Sequence, residues 1–305
     1  MSLNSILGAI AQGLLWSILS LGVFVTYRIL DFSDLSTEGS YPLGAAVAAT
    51  LILKGINPFV ATLAAAGSGV LAGLCTGLLH TKLRIPALLS GILTMTGLYS
   101  INLRVMGKAN LPLLKQSTVL TLAADTFGVK PTQAAMIVGV MAAIVVILLL
   151  WAFFSTELGM AVRATGDNPD MIRALGVNTN RMKILGLIIG NALIGLAGGL
   201  LAQYNGYADV GMGTGTIVIG LASVIIGEVL FGRTSVLRSM ISVVLGSILY
   251  RIVIAFVLDR GLVPTDLKLL TSIVLAVCLS LPIVKDAYNK AISRRNRGKE
   301  GTAHA

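Results

Sequence analysis

The feature that most constrains this chain is a series of long apolar runs, almost free of charge, joined by short polar connections. A helix must continue for roughly 20 residues to cross the hydrocarbon core of a bilayer. Runs of about that length cover 6–28, 38–54, 58–80, 86–103, 134–154, 183–203, 214–231, 236–258 and 267–284. Composition points to the same solvent. Only 12% of the 305 residues are charged and 55% are hydrophobic, against about 25% charged in an ordinary soluble domain. A fold this short of charge cannot cover a water-facing surface. The expected class is therefore all-α, a polytopic transmembrane helix bundle with about nine spans. The second run opens with Glu38, Gly39, Ser40, Tyr41 and Pro42, and the fourth is rich in Gly, Ser and Thr. One or two broken or re-entrant helices are expected there. The first run lacks a basic leader and a cleavage site of small residues, which predicts a retained helix rather than a signal peptide.

Lys and Arg set the orientation. With the N-terminus outside and the C-terminus inside, the inner segments carry Arg28, Lys82, Arg84, Arg163, Arg173, Arg181, Lys183, Arg233, Arg238 and the basic tail 285–305. That is the larger share of the 23 basic residues. The outer segments and outer span ends carry Lys54, Arg104, Lys108, Lys115, Lys130, Arg251, Arg260 and Lys268. The net charge of +10 is thus mainly a topology signal, and the tail suits anionic headgroups. Nucleic acid is excluded as a partner, because the basic residues form no patch interleaved with aromatics.

Glycines recur every fourth residue at Gly69, Gly73 and Gly77, at Gly186 and Gly190, and at Gly195 and Gly199. Residues four apart share a helix face, and a glycine stripe lets a neighbouring backbone come close. Cys75 and Cys278 lie in apolar runs without a CxxC partner and are expected to be small core residues. Catalytic motifs are absent: no HExxH, no GxSxG, no GxxxxGK[ST] and no Cys/His cluster with metal-ligand spacing. The acidic residues near the spans, Glu38, Glu157, Asp209 and Glu228, form no ladder of the kind a proton-coupled transporter uses.

The connection from Ser155 to Arg181 has structure of its own. Asn168 is placed to cap a short helix with Pro169 at its first position. That helix is expected over Asp170 to Leu175 and ends at Gly176, a good terminator. Its apolar residues Met171, Ile172, Ala174 and Leu175, flanked by Arg163 and Arg173, suit docking into another protein's groove or lying on headgroups.

Three blocks carry a resemblance: Val23 to Ala49; Gly159 to Asn178, GMAVRATGDNPDMIRALGVN, followed by the helix GLIIGNALIGLAGGLLA; and Gly215 to Gly232. They resemble the membrane permease subunits of ATP-binding-cassette importers, in the group that includes the branched-chain amino acid and ribose permeases. The chain departs from the branched-chain pattern at Glu228 and in the acidic-polar string from Asp31 to Glu38, and there looks closer to a subgroup linked to aromatic amino acid uptake. The resemblance implies a bacterial inner-membrane protein with a permease domain over 1–284 and a cytoplasmic coupling loop over about 155–182. Arg163, Asp167, Asn168, Pro169, Ile172, Arg173, Ala174 and Gly176 match the coupling helix that seats in an ATPase subunit. The implied partners are that ATPase, an extracytoplasmic binding protein, docking on the outer segments 104–133 and 204–213, and a second permease subunit, most simply a second copy. The chain itself would bind no cofactor, with ATP and Mg on the ATPase. Cargo, a small polar solute such as an amino acid, would pass by alternating access. Glu38, Tyr41, Asn102, Asn191, Gln203, Tyr204 and Asn205 would line its path, each with a helix–helix hydrogen bond or a water-facing span end as the alternative. An ATP-independent transporter or channel, and a structural membrane protein, are the other readings.

Overall fold

The computed structural model describes residues 3–260 and a few isolated positions between 269 and 280. The expected run at 267–284 and the basic tail 285–305, with Cys278, lie largely outside the described residues. Helix α1 (Leu3–Val23) passes directly into a π-helical turn (Phe24–Ile29). Then follow α2 (Thr37–Leu53), α3 (Pro58–Thr81), α4 (Ala87–Met106), strand β1 (Asn110–Pro112), α5 (Val119–Phe127) and α6 (Pro131–Phe154). The connecting loop forms α7 (Glu157–Asp167) and α8 (Pro169–Ala174). The chain continues through α9 (Thr179–Asn205), strand β2 (Tyr207–Asp209), a 3-10 turn (Val210–Gly213), α10 (Thr216–Phe231) and α11 (Val236–Asp259). The architecture is an all-α bundle apart from one ribbon, in which Asn110 of β1 lies opposite Asp209 of β2. One end of the bundle carries α7 and α8, the other carries the ribbon.

Among the described residues six helices are long and apolar enough to cross a membrane, rather than nine. Of the other two expected spans, α2 has only 17 residues and α4 contains Ser90, Thr94, Thr96, Ser100, Asn102 and Arg104. Helix α4 nevertheless runs unbroken. The hydroxyls of Ser90, Thr94 and Thr96 bond back to carbonyls three or four residues earlier, so these hydroxyls are satisfied within the helix.

The second run itself is unbroken: α2 is continuous from Thr37 to Leu53 with Pro42 inside it, and the interruption lies before it, over 30–36. The Leu30 N–H bonds the Val25 carbonyl, and the chain reverses at Asp31, which adopts a φ of 52°. It returns without helix to Ser36 before α2 begins. Helix α2 starts at middle depth: Ser36 and Ser40 meet Asn191 near the centre of α9, and Gly44 packs on Gly195 further along. Helix α10 begins at the same level, with Gly213 under the Glu38 backbone and Pro42, and Gly220 against Leu19 and Val23. With the 3-10 turn before it, α10 forms the apolar stretch Val210–Phe231 of 22 residues, one of the six long enough to cross.

Glycine decides the close crossings. A methyl group on Gly69 would fall on the Asn191 carbonyl, and one on Gly73 on the Leu187 carbonyl. In return Gly195 packs on the Ala65 carbonyl and Gly198 on that of Tyr41, so α9 is held between α2 and α3. Gly186 and Gly190 face the opposite way, toward Leu30 and Thr26. Helix α1 is the other central element, with 72% of its apolar window buried against 28% for α6. The exposed Met141, Ile144, Val145, Leu148 and Leu149 of α6 form an apolar outer face that requires lipid. Cys75 belongs to such a face: it is exposed on α3 and not in the core as expected, because the α3 glycines, two residues to either side, turn the opposite face to α9.

Candidate functional site

Helix α8 is built from its caps. Asn168 Oδ1 accepts the Met171 N–H at 3.0 Å, Pro169 occupies the first turn, and Gly176 turns the chain away with a φ of 84°. Ile172 is buried and anchors the helix, whereas Arg173, Ala174 and Gly176 are exposed. Met171 and Leu175 are 52% and 71% exposed, an apolar surface on a loop that stands out from the bundle. The Arg173 guanidinium bonds the Asp170 carboxylate at 3.2 Å and the Thr179 hydroxyl at 3.4 Å, which fixes it along the helix.

Preceding it, α7 is an element the sequence reading missed, although Thr156 caps it on the Gly159 N–H and Glu157 stands in its first turn. Gly166 of α7 lies directly on the carbonyl of Ile29, the last residue of the π-helical turn. Arg163 and Asp167 do not share the surface of α8. They face a cavity of about 340 Å³ with Arg28, Glu228 and Arg233. Across it Arg28 Nε bonds Glu228 Oε1 at 3.0 Å, joining the end of α1 to the end of α10. The departure at Glu228 thus has a partner 200 residues away. A displacement of α8 has a continuous route through α7 and the π-helical turn into α1 and, through this ion pair, into α10.

Polar groups inside the bundle divide into satisfied and unsatisfied. Asn191, fully buried, donates to Asp34 Oδ2 at 2.7 Å and to the Leu187 carbonyl, and accepts from Ser40 at 2.6 Å and Ser36 at 3.3 Å. Asp34 also accepts the Ser36 N–H and hydroxyl. Gln203 accepts the Val119 N–H at 2.8 Å and donates to Thr62 and the Gly199 carbonyl. Asn191 uses both donors and both acceptor positions, and Gln203 uses both donors and accepts one bond, so both tie segments of the bundle together. Tyr41 is buried against Trp16, ring centroids 5.5 Å apart. Tyr204 is half-buried and Asn205 exposed at the ribbon end. Glu38 and Asn102 border a common cavity, between α4 and the 3-10 turn before α10.

Asp34 and Arg251 were not singled out from the sequence. Arg251, assigned there to an outer span end, lies within α11 with its guanidinium 4.1 Å from the Trp16 ring centroid. The outer segments 104–133 and 204–213 meet through the ribbon, through the Leu113 N–H on the Gly206 carbonyl and through Asn110 Nδ2 on Asp209 Oδ2 at 3.1 Å.

The chain belongs to the family described as branched-chain amino acid transport system / permease component, whose model matches residues 5–280. This is a family of transport permease subunits, not of enzymes. The tyrosine transport system permease protein of Clostridioides difficile is 43% identical over 98% of this chain and 99% of its own length. The probable branched-chain amino acid permease LivH of Methanocaldococcus jannaschii is 31% identical over 64% of each chain. The autoinducer 2 import permease LsrC of Yersinia pseudotuberculosis is 28% identical over 59% of this chain and 49% of its own length. No solved structure matches. The protein is a multi-pass membrane permease subunit of an ABC importer.

Proposed function

We propose that this permease carries an amino acid, in the first instance an aromatic one, and that α8 couples it to a separate cytoplasmic ATPase which binds ATP and Mg. The observation that carries the cargo is the near full-length likeness to a tyrosine transport permease. The coupling role rests on α8 itself: capped at both ends, exposing Met171, Arg173 and Leu175, and continuous through Gly166 with α1. The end bearing α7 and α8 is the cytoplasmic one, in keeping with Lys82, Arg84, Arg163, Arg173, Arg181 and Arg238 there, and the C-terminus lies on that side. Two permease subunits, here two copies, enclose the path in the bacterial inner membrane. An extracytoplasmic binding protein delivers cargo to the ribbon end.

Gentle detergent purification from the native membrane, with mass spectrometry of the bound proteins, tests the reading. A soluble ATPase should accompany the wild type and be lost from a variant carrying Arg173→Glu and Pro169→Gly. If no ATPase accompanies a folded wild type and flux proceeds without ATP, the coupling proposal is wrong and the chain works as a transporter or channel of its own.

A further inference from the structure

The start of α2, α4 and the 3-10 turn before α10 leave a cavity of about 390 Å³, bordered by Glu38, Met95, Tyr99, Asn102, Val210 and Thr214. That volume lies within the range of small-molecule sites, roughly 300–1,000 Å³. Its polar equipment is one-sided. Asn102 is 1% exposed, and its Nδ2 donates to the Gly39 carbonyl at 3.2 Å, which determines that the other end of the amide is oxygen. That Oδ1 is buried without a hydrogen-bond partner, which is unfavourable unless something supplies a donor. Glu38 uses Oε1 to accept the Gly215 N–H at 2.9 Å, and a carboxylate has room for further donors. No Lys, Arg or His borders the cavity among the described residues. The N-terminal ends of α2 and α10 would favour an anion, but the Glu38 carboxylate already occupies that position. A ligand here must bring N–H donors and positive charge, and Met95, Val210 and the Tyr99 ring offer apolar cover for what the charge is attached to.

We propose that this cavity binds a primary ammonium group, held by Asn102 Oδ1 and the Glu38 carboxylate. On the amino-acid importer reading, on which the choice of occupant rests, the group is the cargo's α-ammonium. The other source of the same chemistry is the headgroup of an ethanolamine lipid.

Thermal unfolding of the purified full-length chain, with whatever subunits accompany it, tests this with two probes that share a ring. Tyramine carries the amine, and 3-(4-hydroxyphenyl)propionate carries only a carboxylate. Tyramine should raise the midpoint of the wild type and the acid should not. Asn102→Leu and Glu38→Gln should each weaken the tyramine response ~tenfold or more, as expected for a lost bond to a charged group. Glu38→Gln keeps an acceptor for Gly215 and removes only the charge, so it decides the matter if Asn102→Leu does not fold. Mass spectrometry of bound lipid separates the sources. Phosphatidylethanolamine retained by the wild type, displaced by tyramine and absent from Glu38→Gln supports the site and assigns it to lipid. Its absence, with the tyramine response intact, supports cargo. No effect of tyramine on the wild type, an equal effect of the acid, or an unchanged response in Glu38→Gln overturns the proposal. ATPase retention, scored on the same preparations, reports on the importer reading independently.

Discussion

At the scale of single residues, Asp34 shows how a carboxyl group is kept inside an apolar bundle. It is 2% exposed, and its oxygens take bonds from Ser36 and Asn191. Removing it by Asp34→Ala leaves the Ser36 N–H unpaired and takes one bond from Asn191. The expected loss is about 3 kcal/mol, read as a lower unfolding midpoint in detergent. The Arg28–Glu228 pair is different, because the side chains are 38% and 17% exposed. Its net contribution is only about 0.5–1 kcal/mol. Arg28→Glu or Glu228→Arg alone should therefore reduce ATP-driven uptake more than stability, and the double reversal should restore uptake. A double-mutant cycle on uptake in vesicles checks this.

At the scale of elements, two glycines on α3 make a controlled comparison. Gly67 has open space where a methyl would go, whereas Gly69 has the Asn191 carbonyl. Gly67→Ala should be tolerated, and Gly69→Ala should cost about 1–3 kcal/mol by forcing α3 and α9 apart. Thermal unfolding of the two variants side by side distinguishes them. In α8, Asn168→Ala should weaken the helix by about 1 kcal/mol, and Asn168→Ser should largely spare it, since Ser also caps. Uptake and ATPase retention should follow the same order. The α8 caps were legible in the sequence because cap residues act on N–H groups two or three positions away. Helix α7 was passed over despite Thr156, since its run Glu157–Asp167 is short and polar on average, even though its apolar residues recur at helical spacing.

At the scale of the whole molecule, the orientation makes a prediction about access. In a background with Cys75→Ser and Cys278→Ser, a cysteine at Lys115, near the ribbon, should react with an impermeant thiol reagent in intact cells. A cysteine at Arg173, on α8, should react only after the membrane is opened. The reverse pattern would invert the bundle. The break expected at Glu38–Pro42 did not occur, because Pro42 stands in the second turn of α2, where few helical N–H bonds are lost, and the chain is interrupted before it, over 30–36. The expected break in α4 did not occur, because hydroxyls that look polar in a sequence are satisfied by their own helix. Asn191 and Gln203 were read as path residues from their polarity, and both tie segments of the bundle together.

What the sequence by itself determined is the solvent, the close-packing faces and the projecting helix. Charge content, a four-residue glycine period and a capping residue beside a proline are local quantities, and each acts within a turn or a span. Only the tertiary structure decided that Glu38 meets Gly215, 177 residues later, that Asp34 meets Asn191 across 157 residues, and that Asn102 is left with an unpaired oxygen beside Glu38. Such contacts join segments of no shared periodicity. They exist because α2 and α10 start at the centre of the bundle, where backbone and side-chain polar groups must find one another in the absence of water.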